Sequence, residues 1–113
     1  MHGRRRAIAT EVIAQVYVGA LTLDLLLGDV RSLKQKRSVI RPIVAELQKR
    51  FPAVAVAETG DNELYRRAEI GVAVVSATAA NCDEVLSACE RLVAGRPDIE
   101  LLSARHRFFS DED

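Results

Sequence analysis

Apolar and polar residues alternate over several short stretches of the chain, and this alternation predicts its β-strands. The clearest stretch is residues 16–27, where Leu21, Leu23 and Leu25 occupy alternate positions around Thr22. A period of two places these leucines on one face of a half-buried strand. Similar apolar runs predict three more strands at residues 53–57, 67–76 and about 99–108.

Two helices are predicted between these strands, because the apolar spacing there changes to three and four residues. Ser32 stands where an N-cap residue belongs, and Pro52 marks the end of the first helix. Pro42 should bend or divide that helix, because proline lacks an N–H and clashes with the preceding turn. The second helix begins near Thr78 and closes at Gly95. The two apolar stripes are Ile40, Ile43, Val44, Leu47 and Phe51, and Cys82, Val85, Leu86, Cys89, Leu92 and Val93.

The order of these elements, β-α-β-β-α-β, predicts an α+β fold of the ferredoxin-like type. We expect a four-stranded antiparallel sheet with both helices on one face. A chain of 113 residues has room for one such domain, which we place at residues 16–109. Residues 1–15 are interpreted as an N-terminal appendage, either a disordered arm or an extra helical turn, and residues 110–113 as an acidic tail.

Charge is balanced over the whole chain but not along it. The formal net charge is zero, so charge alone does not mark a binder of polyanions. Residues 1–50 nevertheless hold 10 Lys and Arg against 4 Asp and Glu, and residues 51–113 hold 6 against 12. This asymmetry predicts either a dipolar surface with one end suited to phosphates, or halves that interleave in space so that the field averages out.

The sequence offers little support for an enzyme, a metal site or a membrane protein. Cys82 and Cys89 lie about two helical turns apart, beyond disulfide reach, and are interpreted as buried small hydrophobes. The only histidines, His2 and His106, lack metal-ligand spacing. No phosphate loop or nucleophile elbow is found, and no run approaches the ~18 apolar residues of a membrane span. We therefore expect a soluble cytoplasmic protein without catalytic residues, cofactor or metal.

Five basic residues gather at the start of the first helix: Arg31, Lys34, Lys36, Arg37 and Arg41. At about 100° per residue, Lys34, Arg37 and Arg41 share one side of the helix. Lys36 points near the apolar stripe, and we expect it to reach solvent by extending past the helix end. Cations here oppose the helix dipole, whereas helix amides and converging cations suit a phosphate. The cluster predicts a nucleic-acid or other anion contact, with an ordinary solvated face as the alternative.

The Ser-Leu-Lys-x-Lys-Arg run within this cluster resembles a signature of the YlxP-like family of uncharacterised bacterial proteins. The similarity extends over residues 16–108 and is carried by residues 18–21, 32–40, 57–59, 61–68 and 70–76. It implies a ferredoxin-like fold with no established activity. Genes of the family often neighbour those of translation initiation and ribosome maturation factors, which implies a role near the ribosome. Many relatives carry tryptophan where this chain has Tyr65, which weakens any stacking role at that position.

The sheet face turned away from the helices is predicted to be a smooth surface of small apolar side chains. It lacks the aromatic platform with which the best-known RNA binder of this strand order stacks bases. An exposed apolar patch usually marks an interface, and we therefore expect a homodimer, with a cover formed by residues 1–15 or the tail as the alternative. The residues of this candidate interface are Val18, Ala20, Ala55, Ala57, Ala73 and Val75.

A second candidate polar site lies around the turn after the second strand, at Glu58, Tyr65 and Arg66. Glu58 shares the parity of Val54 and Val56, so its carboxylate should be half-buried and need a partner such as an arginine. Neighbouring carboxylates can serve acid–base chemistry, but that needs a pocket and shifted pKa values. A solvated hairpin loop is the favoured interpretation, and an enzyme with its site here has the least support.

Two hypotheses of function follow. The first is a non-enzymatic binding protein that contacts RNA or a ribosomal particle through the basic start of the first helix. The alternative is a homo-oligomeric interaction protein that uses the apolar sheet face and binds no nucleic acid. The two differ in a simple way, because only the first predicts binding that weakens steeply with salt.

Overall fold

The alternating and helical patterns fold into six elements in a computed structural model that describes residues 15–60 and 63–111. The strands pair in the order β2-β3-β1-β4, and every pairing is antiparallel. This is the predicted ferredoxin-like arrangement. Nearly all of the predicted appendage and the end of the acidic tail lie outside the described residues. The elements are β1 Tyr17–Leu27, α1 Leu33–Arg50, β2 Ala55–Thr59, β3 Arg67–Ser76, α2 Ala79–Ala94 and β4 Ile99–Ser110.

The core lies between the helices and one face of the sheet. Alternate leucines of β1 from Leu21 to Leu27 are at most 1% exposed, as their period of two predicted. Both helices lay their apolar stripes on this face, so the opposite face stays open. Burial of each such leucine stabilises the fold by roughly 1.5–3 kcal/mol. The other buried residues include Ile40, Ile43, Leu47, Ile70, Val72, Val74, Cys82, Leu86, Cys89 and Val93.

Helix α1 begins with a reciprocal cap. The Ser32 hydroxyl accepts from the Gln35 backbone N–H at 3.1 Å, and the Gln35 side chain accepts from the Arg31 backbone N–H at 2.7 Å. The first bond satisfies an amide group that a helix start leaves without a partner, and the second fixes the residue before the cap. Of the two effects expected of Pro42, a bend or a division of the helix, division is wrong, since α1 is continuous through it. Ile40 and Ile43, buried on either side of Pro42, hold both halves against the sheet.

Helix α2 approaches β1 closely at Gly19. A Cβ atom at this position would lie 2.7 Å from Leu86 Cδ1 and 3.3 Å from Cys82 Cβ. The absence of a side chain therefore allows the helix to settle on the sheet. Cys82 and Cys89 of α2 are both buried and free, as predicted, and burial raises the pKa of the Cys89 thiol.

Two strand boundaries differ from the predicted ones. β2 begins two residues later than expected, because residues 51–54 form a turn in which the Val54 N–H donates to the Phe51 carbonyl at 3.1 Å. β4 continues to Ser110, and the backbone N–H of the next residue, Asp111, donates to the Val16 carbonyl at 3.2 Å. Neither shift changes which side chains face the helices. No helix in residues 15–60 and 63–111 is long and apolar enough to cross a membrane.

Candidate nucleic-acid interface

Three of the five predicted basic residues form an exposed row on α1. Lys34, Arg37 and Arg41 are all exposed, and their spacing places them on one side of the helix over a rise of about 10 Å. None of the three makes an ion pair or hydrogen bond with residues 15–60 or 63–111. We call these three residues the basic row.

The basic row faces no competing carboxylate on its own helix. Glu46 is the only acidic residue of α1, and its carboxylate binds Arg96 at 2.9 Å and Arg50 at 3.9 Å. α1 contains six Lys and Arg, whereas α2 contains three acidic residues and one arginine. The two helices of this layer therefore carry opposite net charges. This arrangement favours the dipolar alternative over one in which the charges average out.

Lys36 does not belong to the basic row. Its side chain is only 3% exposed, and its Nζ donates to the Leu64 carbonyl at 3.0 Å and lies 3.9 Å from Glu58 Oε2. The expectation that Lys36 reaches solvent past the helix end is wrong. Leu64, which precedes β3, lies beside the first turn of α1, and its carbonyl binds the ammonium that would otherwise be in water.

Arg31 is exposed but pairs with an acidic neighbour. Its guanidinium binds the carboxylate of Asp29 through two hydrogen bonds of 3.1 and 3.3 Å. Both side chains are more than three-quarters exposed, so this pair contributes little to stability. It does offset the charge of Arg31 locally, which leaves the basic row as the cations of the cluster without a described partner.

The second candidate polar site divides into residues with different roles. Glu58 lies on the helix face of the sheet, as its parity predicted, but its partner is Lys36 and not an arginine. Arg66 donates to the backbone carbonyls of Leu27 and Gly28 at 3.1 and 2.8 Å. Arg66 thus fixes the turn that leads from β1 toward α1. Tyr65 leaves 46% of its surface exposed.

The basic cluster and the Glu58 site, predicted as separate, form one surface. A cavity of about 120 Å³ is lined by Leu33, Lys36, Arg37 and Glu58. We call it the Glu58 pocket. Leu33 is 43% exposed although it opens a helix that packs on the core. Polar, cationic and apolar groups are therefore available within a few ångströms of one another, beside the basic row.

The open face of the sheet carries the small side chains that the sequence predicted. The strand register aligns Val18 with Val75, and Ala20 with Ala73, and Ala73 with Ala55. Ala20, Ala55 and Ala73, with neighbours such as Ala57 and Gly71, line a shallow groove of about 410 Å³. Val75 is 65% exposed, the largest exposed fraction among the large apolar residues described.

Edge strand β4 adds groups to the open face that were not among the predicted site residues. Arg107 lies over the ring of Phe109 at 5.4 Å, and Arg105 lies 3.8 Å from Asp24. If the alternation of β4 is extended to residue 110, it predicts that Arg105, Arg107 and Phe109 lie on the open face. On the opposite face, the His106 ring binds Glu90 at 2.6 Å, which ties β4 to α2.

The charged groups at the far ends of the helices are largely paired. Arg96 binds Asp98 through two bonds of 3.2 Å and binds Glu46 at 2.9 Å. The hydrogen bonds from Arg96 lower the pKa of the Asp98 carboxyl. These contacts join α1 to the segment after α2 and line an open cleft of about 870 Å³. Among residues 15–60 and 63–111, no group of three His, Cys, Asp or Glu could hold a metal ion.

Comparison with known proteins decides the family. Residues 18–106 match the sequence profile of a family described as protein of unknown function, DUF503. The chain belongs to the DUF503 family. The uncharacterised protein YlxP of Bacillus subtilis is 27% identical over 92 residues, which cover 81% of this chain and 99% of that protein. The resemblance that the motifs indicated is confirmed, and the basic row and the Glu58 pocket both lie within the matched segment.

Solved structures match the fold of this DUF503 protein at low sequence identity. A candidate antibiotic biosynthesis monooxygenase from Chloroflexus aurantiacus is 16% identical, with a TM-score of 0.48 over 80% of this chain and 90% of that one. A de novo designed protein with a ferredoxin fold, LFR1 1, is 12% identical, with a TM-score of 0.36 over 89% and 88% of the two chains. Neither likeness bears on activity.

Proposed function

We propose that this DUF503 protein is a non-enzymatic RNA-binding protein of the cytoplasm that contacts RNA, free or within a ribosomal particle, through the basic row of α1. The observation that carries the proposal is the exposure of Lys34, Arg37 and Arg41, which pair with no group in residues 15–60 and 63–111, on a helix whose only carboxylate is bound elsewhere. Stability alone does not favour Lys34 in the first turn of α1, because the helix dipole opposes a cation there.

Phosphate groups are the ligand that this geometry suits best. Lysine and arginine neutralise phosphates and release their counterions, which supplies much of the affinity of a non-specific nucleic-acid contact. The two arginines also offer planar donor pairs that match phosphate oxygens. A regular polyanion meets all three cations at once, whereas a single small anion meets one or two.

The proposed mode of RNA binding through α1 takes account of the two central strands, which lack aromatic side chains on the open face. The central strands present Val18, Ala20, Gly71 and Ala73 on the open face, so they hold no aromatic side chains on which bases could stack. RNA contact through helix α1, on the opposite side of the sheet, avoids that requirement. It also leaves the open face available for another role.

Co-purification of RNA tests this function. The protein purified from lysate at low salt is expected to carry RNA, which nuclease treatment removes. The variant K34Q/R37Q/R41Q should carry little RNA. A matched variant with the same loss of charge, R67Q/R91Q/R107Q, changes three exposed arginines away from the basic row and should carry as much as the wild type. Equal RNA on both variants would contradict the proposal.

A second candidate function, homodimerisation through the open sheet face, is favoured by the exposure of Val75 beside the groove of small residues. Sedimentation of the full chain over a range of concentrations is expected to show a dimer, and V75D should shift it to a monomer, because a buried unpaired carboxylate is costly. A wild-type monomer at every concentration would exclude this function. Its exclusion would leave RNA binding untouched.

A further inference from the structure

Within residues 15–60 and 63–111, the carboxylate of Glu58 in the Glu58 pocket accepts no hydrogen bond and so keeps acceptor capacity for a ligand. Glu58 has one described contact, with Lys36 Nζ at 3.9 Å, which is too long for a hydrogen bond. Its side chain is 29% exposed and opens into the cavity. A carboxylate has two oxygens and accepts hydrogen bonds only. A ligand that enters this pocket must therefore present donors.

The position of this carboxylate is unusual for an RNA-binding surface. Arg37 lines the same pocket and belongs to the basic row, so a bound phosphate lies close to Glu58. A bare carboxylate there would repel the RNA backbone. Lys36, buried beside Glu58, compensates for its charge, so the carboxylate is tolerated at the site and remains available as an acceptor.

The size and the lining of the Glu58 pocket restrict further which donor-bearing ligand can bind there. A volume of about 120 Å³ is far below that of a site for a whole nucleotide or drug-sized molecule. It suits a single planar ring system. Leu33, 43% exposed, offers an apolar surface against which the face of such a ring can pack.

Among the four RNA bases, guanine matches these features best. Its Watson–Crick edge presents two adjacent donors, N1–H and the N2 amino group, which can meet both oxygens of one carboxylate. Adenine and cytosine present one amino group beside an acceptor nitrogen. Uracil presents one N–H between two carbonyl oxygens, which a carboxylate repels. Bases in unpaired RNA are commonly recognised through this edge.

We propose that the Glu58 pocket binds one unpaired guanine of single-stranded RNA, and this inference rests on the proposed function. Glu58 accepts from guanine N1–H and N2–H, Leu33 packs against the ring, and Arg37 binds a neighbouring phosphate. Lys36 is a positioning residue that holds the carboxylate and does not touch the RNA. The pocket thereby adds base preference to a surface that otherwise binds backbone.

The test is a titration of the full-length protein with fluorescently labelled 12-nucleotide oligouridines that differ at one central position. Guanosine at that position is expected to bind about tenfold more tightly than uridine, since a bidentate base contact has this order of effect. Inosine, which lacks the N2 amino group, should lie between them, and adenosine should equal uridine. Equal binding of all four oligonucleotides would overturn the inference, as would tighter binding of the adenosine probe or of an RNA duplex.

The variant E58Q is expected to remove the preference for guanosine, so that the guanosine and uridine probes bind it about equally. E84Q, which changes an exposed carboxylate on α2, should keep the preference. If Glu58 had only a structural role, the ratio of the affinities for the guanosine and uridine probes would stay the same in E58Q. If E58Q does not fold, the inosine probe on the wild-type protein provides the test instead. Oligouridine binding without guanosine preference refutes only the pocket, whereas absence of binding to every probe refutes the proposed function and the pocket with it.

Discussion

Replacement of Lys36 by alanine is expected to lower the free energy of unfolding by about 3 kcal/mol. The substitution removes a buried aliphatic stem and leaves the Leu64 carbonyl and the partly buried Glu58 carboxylate without their cation. Loss of one partner of a buried pair costs more than the pair itself contributes. In a domain of this size, thermal denaturation should show a fall in Tm of roughly 10 °C.

The matched control is K34A, which changes a lysine two positions away on the exposed side of the same helix. Its free energy of unfolding should stay within about 0.5 kcal/mol of the wild type, as for most surface substitutions. K36M keeps the length of the stem and should recover part of the loss. If K36A and K34A unfolded at the same temperature, Lys36 would have to lie in solvent, and the description of the Glu58 pocket would be wrong.

The fold was predictable because its signals are local. Alternate leucines from Leu21 to Leu27 define one face of β1, and the helical spacing around Ile40 and Ile43 defines one face of α1. Each pattern identifies an element and the side that it buries. The order of the elements then leaves few topologies. The observed boundaries of β2 and β4 differ from the predicted ones by about two residues, because turns and strand ends depend on partners elsewhere in the chain.

The candidate site was predictable only in part. The row of Lys34, Arg37 and Arg41 follows from helical geometry. The burial of Lys36 does not, because its partner Leu64 is 28 residues away, in a connection whose path depends on how the β2–β3 hairpin lies on α1. Two features of the sequence nevertheless indicated the contact between Lys36 and Glu58. Glu58 has the parity of the helix face, and Lys36 points toward the apolar stripe, so a pairing of the two could have been inferred.

The largest functional effect is expected for K34Q/R37Q/R41Q. At about 100 mM salt this variant should bind single-stranded RNA at least tenfold more weakly than the wild type, because three charge-assisted contacts to phosphate are lost together. Its stability should be little changed, since all three side chains are exposed and unpaired within the described residues. Far-ultraviolet circular dichroism and thermal denaturation check that the fold is kept.

The dependence of RNA affinity on salt tests the role of the basic row most directly. For single strands, each neutralised phosphate contributes about −0.7 to the slope of log affinity against log salt concentration. K34Q/R37Q/R41Q should therefore reduce the steepness of the wild-type slope by about 2. The control R67Q/R91Q/R107Q should leave the slope unchanged. Equal slopes for the wild type and K34Q/R37Q/R41Q would contradict the assignment of this helix face as the RNA contact.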